Sequence, residues 1–440
     1  MCIKKGFMPV LFALWISFFL FSMQAWALES DGFEYNIKDN QVTITKYLGK
    51  KGKDVDVIVP STLSGYPVTA ISAKGAYGVF DGMTLRSITL PDTVVEIGDL
   101  AFFRAWISKI TMSSNVQVIG RKAFAMSDFT SIDLPDTLIS IGESAFSDSK
   151  ITSVKIPNSV TSIGKNAFYS SNITSCQMYA NIQKIPDGMF VFCKSLQTVE
   201  LNDGLQAIGS DAFSGCNELK EIKIPSSVSK IGSDAFSGCL SMKTINIPYG
   251  VEVISSGMFS NCRELTEIHI PSSVTEIKSY AFWGCKSLVS LNIPNSVVEV
   301  GDIISKCDNL KSVRIPSSVV KGSLFNGSGC PKMIVYVKEG SYAEQKAKTK
   351  SGLSVVVDNS VDQAVNSSQE TPVVNSGEPV WKQDAVGWWL ENPDGSYLMN
   401  TWYQSSSNGL WYYLGADGYM LTNTKTPDGY WVNSDGAMVQ

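Results

Sequence analysis

The chain has 440 residues, 44% of them hydrophobic and 18% charged, with a formal net charge of −5. That length allows two or three ordinary domains, and the weakly acidic balance excludes a protein that holds nucleic acid by charge. Histidine occurs once, which leaves imidazole catalysis a single candidate.

Residues 1–27 read as an export signal. Lys4 and Lys5 form a basic start, residues 6–23 are almost wholly apolar, and Ala25-Trp26-Ala27 is a small-x-small cleavage site. A membrane anchor is the alternative; the marginal length of the apolar run and the cleavage site behind it favour removal. Cys2 precedes the apolar run rather than following it, which argues against a lipid anchor. No later stretch is apolar for long enough to span a bilayer. Residues 358–440 carry ten carboxylates against Lys382 and Lys425, so the acidity sits in the tail and residues 28–357 are near neutral.

Residues 28–79 are expected to form an N-terminal cap. Phe33-Glu34-Tyr35-Asn36-Ile37 and Val42 to Tyr47 alternate, as does Val55 to Val59, which predicts strands closing a stack whose terminal apolar face needs cover.

From there a single pattern recurs: apolar-x-x-Ile-x-Ile-Pro-x-Ser-Val-x-x-Ile-Gly-x-x-Ala-Phe-Ser-x-Cys. It runs from Leu219 to Cys239, Met242 to Cys262 and Leu265 to Cys285, with looser copies on both sides. Its phenylalanine falls at Phe80, Phe102, Phe124, Phe146, Phe168, Phe190, Phe213, Phe236, Phe259 and Phe282, with a last relative at Phe325. A period of 20 to 50 residues predicts a solenoid, because one copy cannot bury its apolar face alone. In Glu221-Ile222-Lys223-Ile224-Pro225, Ile222 and Ile224 face inward and Lys223 outward, the alternation of a half-buried strand. Proline cannot donate to a ladder and ends the strand. Glycine of the Ile-Gly pair is expected to serve a tight corner, and Ala-Phe fills the opposite side.

Strand, Pro-x-Ser-Val, Ile-Gly and Ala-Phe, recurring in that order over residues 80–335, resemble the leucine-rich repeats of the BspA-like type, found in surface proteins of bacteria and some protists. The pattern departs at 182–190, where Pro186 replaces glycine and Met189 replaces alanine, and again near 303–307. Residues 336–357 are the expected C-terminal cap, with a short helix over 341–348 and a strand over 353–357.

Cys193, Cys216, Cys239, Cys262, Cys285, Cys307 and Cys330 recur at the repeat step, while Cys176 takes an inward strand position. An even number of cysteines in an exported protein invites disulfides. Stacked neighbours with parallel Cα–Cβ bonds reach the disulfide torsion with difficulty, so a buried thiol ladder is the favoured reading. The absence of Cys-x-x-Cys argues against zinc, and no metal is expected.

The outward strand position varies freely while its neighbours stay fixed. It reads Thr89, Thr111, Asp133, Lys155, Gln177, Glu200, Lys223, Asn246, His269, Asn292 and Arg314. Residues Asp133 to Arg314 are the candidate partner-binding strip; a merely soluble sheet face is the alternative. Its mixed charge suits protein or glycan contacts better than a polyanion. Catalysis has little support: His269 holds an ordinary strand slot, carboxylates are scattered, and no phosphate-cradling glycine motif is present. No enzyme activity and no cofactor are expected.

Residues 358–380 read as a polar linker. Residues 381–440 are crowded with tryptophan and tyrosine, with Asp394-Gly395, Asp417-Gly418, Asp428-Gly429 and Asp435-Gly436 between aromatic runs, a hairpin signal. These units resemble the cell-wall-binding repeats of Gram-positive bacteria, the group that includes choline-binding modules. The resemblance implies aromatic cages for choline on wall teichoic acid, with Trp402, Trp411, Tyr412, Tyr419 and Met420 at the matching positions. Tyr413 and Trp388 are expected to fill hairpin cores instead. Asn400-Thr401-Trp402 departs from the usual Thr-Gly-Trp.

The expected fold is therefore a mainly β solenoid, a leucine-rich-repeat (BspA-like) parallel-strand stack, joined to a small C-terminal β-hairpin repeat module. Together the two resemblances imply a secreted or wall-attached bacterial surface protein. An adhesin binding a host or microbial protein or glycan is the first reading; an envelope glycan-binding or nutrient-capture protein is the second. The tail's expected partner is a cell-wall polymer.

Overall fold

The computed structural model describes residues 28–325, 333–350, 352–364, 379–383, 387–391, 398, 401–405, 408–415, 418–426 and 430–439. The expected export signal, Cys330, and the Asp-Gly pairs at 394–395 and 428–429 lie outside the described residues. Two compact units form, one up to Lys150 and one from Ile151 onward. Among the described residues no helix is long and apolar enough to cross a membrane.

In the first unit, Phe33–Lys38 and Gln41–Tyr47 make an antiparallel hairpin, with Leu28–Ser30 paired to its first strand. Asp39 and Asn40 turn it with φ of 49° and 59°, the doubly left-handed conformation that these short polar residues tolerate. Gln41–Tyr47 then pairs in parallel with Tyr66–Ile71, which starts a run through Glu96–Ile97, Val118–Ile119 and Ser140–Ile141. Gly52–Ile58 starts a second parallel run through Thr84–Thr89 and Trp106–Thr111. The cap strands are thus the first members of both sheets.

The second unit repeats the arrangement. Ser153–Ile156, Ser175–Met178 and Thr198–Glu200 are parallel and in register, as are Ser290–Asn292, Ser312–Ile315, Ile334–Val337 and Ser354–Val357. Ile-Gly edges pair likewise, with Ile185, Ile208 and Ile231 aligned and Ile254, Ile277 and Val300 aligned. The helix Tyr342–Lys348 lies between the strands Ile334–Val337 and Ser354–Val357 in the chain and is capped at Ser341, whose hydroxyl accepts from the Glu344 N–H. Glu344 in turn accepts from the Gly340 N–H, and Ala343 and Ala347 are buried. Helix and strand fall within the spans where the sequence predicts a short helix and a strand.

Each repeated residue has a visible cause. Phenylalanines form parallel stacks: Phe80, Phe102, Phe124 and Phe146 in the first unit, with centroids 5.1, 5.2 and 5.3 Å apart. In the second unit the stack runs from Phe168 to Phe282, with Phe213 and Phe236 5.5 Å apart and inclined by 1°. Tyr47 extends the first stack, 5.3 Å from Phe80. The Pro-x-Ser-Val run is a turn in which the proline carbonyl accepts from the valine N–H, as in Pro225 to Val228 at 3.0 Å. Its serine donates to the preceding coil: Ser227 Oγ to the Leu205 carbonyl at 2.7 Å, Ser273 Oγ to that of Val251 at 2.8 Å.

The Ile-Gly glycine differs from expectation. Gly120, Gly142 and Gly232 do not have positive φ. A Cβ on Gly232 would lie 2.4 Å from the Ser210 nitrogen, and one on Gly142 would lie 2.5 Å from the Gly120 carbonyl carbon. Close approach of the preceding coil, rather than a corner, requires the missing side chain. The left-handed conformations sit instead two residues before and after each phenylalanine from Phe102 to Phe282, at Leu100 and Arg104, Lys122 and Met126, or Asp234 and Gly238.

The irregular coils keep their places. Met189 and Phe190 are fully buried, Lys184–Ile185 pairs in register, and Ile303, Ile304 and Cys307 are buried. Residues 358–364, expected to begin the linker, are instead packed. Asp358 accepts from Arg314 Nη1 at 2.9 Å, and Asp362 accepts from the Ser317 N–H, the Ser317 hydroxyl and Lys338 Nζ at 2.8, 2.7 and 2.9 Å.

The tail forms short antiparallel hairpins. Val380–Gln383 pairs with Trp388–Glu391, Thr401–Gln404 with Trp411–Leu414, and Trp431–Val432 with both Thr424–Lys425 and Met438–Val439. Gly418 and Gly436 turn the chain at φ of 81° and 76°, where Asp-Gly predicted turns.

Candidate functional site

The cysteines settle what the stack's interior can do. Cys193, Cys216, Cys239, Cys262, Cys285 and Cys307 are free and fully buried. Each thiol donates to a phenylalanine carbonyl of the preceding coil: Cys216 to Phe190 at 3.2 Å, Cys239 to Phe213 at 3.3 Å, Cys262 to Phe236 at 3.2 Å, Cys285 to Phe259 at 3.1 Å. Desolvation pushes the thiols of Cys193, Cys239 and Cys285 up to about 12, which removes thiolate character. Three residues after each phenylalanine, the same column continues upstream as Ala105, Ser127, Ser149 and Ser171, a continuation invisible when only cysteines are aligned. Ser171 Oγ lies 3.4 Å from Cys193 Sγ.

Outward residues are placed unit by unit. In the first unit Thr89 and Thr111 are in register, Ile58 precedes them in the same column, and Asp133 is exposed. In the second, Lys155, Gln177 and Glu200 lie directly opposite one another on adjacent strands. Gln177 Nε2 donates to Glu200 Oε2 at 3.3 Å. Lys223 is exposed, and Asn246 and His269 form a parallel bridge. Partial desolvation lowers the pKa of His269, so this imidazole is neutral at pH 7. Asn292 aligns with Arg314, Tyr336 and Val356. Arg314 differs from the others: its guanidinium pairs with Asp358 and stacks 4.5 Å from the Tyr336 ring centroid, so its charge is already engaged.

In the tail, pairing register decides which aromatic rings meet. Trp402 opposes Tyr413 and Gln404 opposes Trp411, so these four share one hairpin face, while Tyr403 and Tyr412 share the other. Trp402 meets Tyr413 and Tyr430 edge-on at 5.2 and 5.9 Å. Tyr412 meets Trp381 at 5.2 Å, and Tyr419 meets Trp389 at 5.9 Å. Met420 packs where a Cβ on Gly436 would come 2.5 Å from its sulfur. Of the five motif-matched residues, Trp402, Tyr412 and Tyr419 therefore take part in separate ring contacts. Trp381, Trp389, Tyr403 and Tyr430 join them. Tyr413 is buried as expected, whereas Trp388 is 41% exposed and does not fill a hairpin core.

Comparison with known proteins agrees with both halves. A choline-binding repeat matches residues 393–438. No curated protein matches the chain. Among solved structures, a leucine-rich repeat protein from Bacteroides ovatus is 25% identical, with 75% of this chain and 100% of that one covered and a TM-score of 0.48. A leucine rich cell surface protein from Faecalibacterium prausnitzii is 25% identical, covering 77% and 97%, with a TM-score of 0.42. The pneumococcal vaccine antigen PcpA is 16% identical, covering 76% and 99%, with a TM-score of 0.48. The BspA type leucine rich repeat region matches residues 76–129, 117–243 and 229–339, which is more than half of the sequence, and the chain belongs to that family.

Proposed function

We propose that the protein is exported through residues 1–27, held on the bacterial wall by residues 381–440, and acts as an adhesin through its outward strand residues. The observation that carries this reading is the contrast between columns. The phenylalanines recur unchanged, the cysteines do so from Cys193 to Cys307, and the inward strand residues stay buried and apolar, whereas Lys155, Gln177, Glu200, Lys223, Asn246, His269 and Asn292 differ and face outward. A surface kept in register yet varied in chemistry suits recognition of one partner, a host or microbial macromolecule, by many weak polar contacts.

Retention on the wall rests on the choline-binding repeat match and on the neighbouring Trp402 and Tyr430, whose rings in an acidic segment suit a quaternary ammonium by about 0.5–2 kcal/mol per contact. Full-length protein is expected to sediment with purified Gram-positive walls and to be eluted by free choline, and Trp402→Ala to weaken both. Sedimentation unchanged by Trp402→Ala would remove the anchor from the proposal. Adhesion is tested by attachment of cells displaying the chain with Lys155, Gln177, Glu200 and Lys223 changed together to serine. Attachment equal to that of the unaltered chain would remove the strip's role. The matched families are repeat families without a catalytic one between them, which supports binding rather than turnover.

A further inference from the structure

One coil carries a thiol in an inward strand position, beneath its outward face. Where the pattern calls for x-Ile-x-Ile-Pro, residues 175–179 read Ser-Cys-Gln-Met-Tyr. Cys176 takes the inward position held by Val154 and Val199 in the adjacent strands, and Tyr179 stands where Pro157 stands in the preceding coil and Asn202 in the following one. At this coil the surface sinks into a depression of about 330 Å³ lined by Ser153, Lys155, Ser175, Gln177, Thr198 and Glu200, with Val154 and Cys176 beneath. A thiol in place of a branched side chain lowers the floor, and the loss of proline leaves a tyrosine ring 51% exposed at the strand's end.

The chemistry of the lining runs in one direction. An ammonium only donates hydrogen bonds, a carboxylate only accepts them, and an amide does both. Lys155, Gln177 and Glu200, on three adjacent strands in register, therefore present donor, donor–acceptor and acceptor in sequence. Three hydroxyls, from Ser153, Ser175 and Thr198, stand in the next row. An anion would oppose Glu200 and a cation would oppose Lys155. A ligand rich in hydroxyls, each able to donate and accept, satisfies the whole row without leaving either charge opposed. Three strands at about 4.8 Å separation span about 10 Å, the length of a disaccharide. We propose that this depression is a subsite for a neutral saccharide unit, with Gln177 and Glu200 bridging neighbouring hydroxyls, Lys155 donating to a third, and Tyr179 offering its ring to the apolar face of the sugar. The assignment rests on the adhesin reading, whose partner it narrows to a glycan.

Calorimetric titration of the full chain tests it, with four neutral disaccharides as probes: maltose, mannobiose, N-acetyllactosamine and di-N-acetylchitobiose. At least one is expected to bind. Gln177→Ala and Glu200→Ala are each expected to weaken it about tenfold or more, the value of a lost hydrogen bond to a charged or bidentate partner. Lys278→Ala, exposed on the other strand run of the stack and outside the outward column, is expected to leave it unchanged. These side chains are at the surface, so unaltered thermal unfolding confirms that each variant is folded. Failure of all four probes to bind, or equal binding by Gln177→Ala, overturns the subsite. If Gln177→Ala lowers cell attachment while no disaccharide binds, the saccharide assignment falls and the adhesin reading stands.

Discussion

Challenging the folded chain with a thiol reagent at pH 8 separates a buried ladder from both disulfides and an exposed row of cysteines. The thiols of Cys193, Cys239 and Cys285 are held at about 12 by burial, against an ordinary 9.0. At pH 8 that leaves about one thiolate in ten thousand, against about one in ten for an ordinary thiol, so reactivity falls about a thousandfold from ionisation alone. Access falls further, since each sulfur is fully buried and donates to a carbonyl of the preceding coil. Labelling monitored by mass spectrometry should therefore be negligible for Cys193 to Cys307 in native buffer. It should become complete in denaturant without reductant. Rapid native labelling of several of these residues would refute the stacked column, and labelling that stays absent after unfolding would refute free thiols.

The packing leads to three further outcomes. Gly232→Ala places a methyl 2.4 Å from the Ser210 nitrogen and should cost about 2–3 kcal/mol in urea unfolding, whereas a glycine needed only for conformational freedom would lose less. Ser227→Ala removes a hydroxyl that donates to the carbonyls of Asp203 and Leu205 at 2.6 and 2.7 Å, and a loss of about 1 kcal/mol is expected in the same assay. Docking of residues 358–364 should depend on pH. Hydrogen bonds from Ser360 and Arg314 hold Asp358 below the usual carboxylate range; burial pushes Asp362 up, but Ser317 and Lys338 outweigh it and leave its pKa lowered. Carboxylates depressed in the folded state stabilise it above their unfolded pKa and lose that effect as pH falls through the folded value. Amide exchange of 358–364, corrected for intrinsic rate, should thus be constant from pH 7 to about 5 and accelerate below about 4. Asp362→Asn should accelerate it at pH 7.

The columns were legible because each residue type answers to one neighbour at a fixed step. Phenylalanine stacks on phenylalanine and serine reaches the carbonyl below it, so periodicity alone located them. Glycine's role was misread, since sequence records that a side chain is missing but not whether conformation or a neighbouring backbone forbids it. The left-handed residues were illegible for the opposite reason: Leu100, Lys122 and Tyr280 adopt that conformation because inter-coil hydrogen bonds fix it, and nothing in their side chains announces it. Asp358 and Asp362 looked like linker because polar composition is what a linker has, and their partners lie about 25 to 45 residues away. In the tail the turns at Gly418 and Gly436 were readable from Asp-Gly, whereas the turn at Gly409 between Thr401–Gln404 and Trp411–Leu414 was not, and ring partners depend on strand register, which the irregular spacing of the aromatics does not encode.

Outward residues of successive coils stand directly opposite one another. Asn246 and His269 are such a pair, in parallel register on adjacent coils, with the imidazole neutral at pH 7. Asn246→His therefore sets two imidazoles about 5 Å apart, a spacing at which they chelate Ni²⁺. The account predicts that Ni²⁺ binds this variant and raises its unfolding temperature, while the unaltered chain and Thr244→His, two residues out of register, do not respond. No response from Asn246→His, or an equal response from Thr244→His, would contradict it.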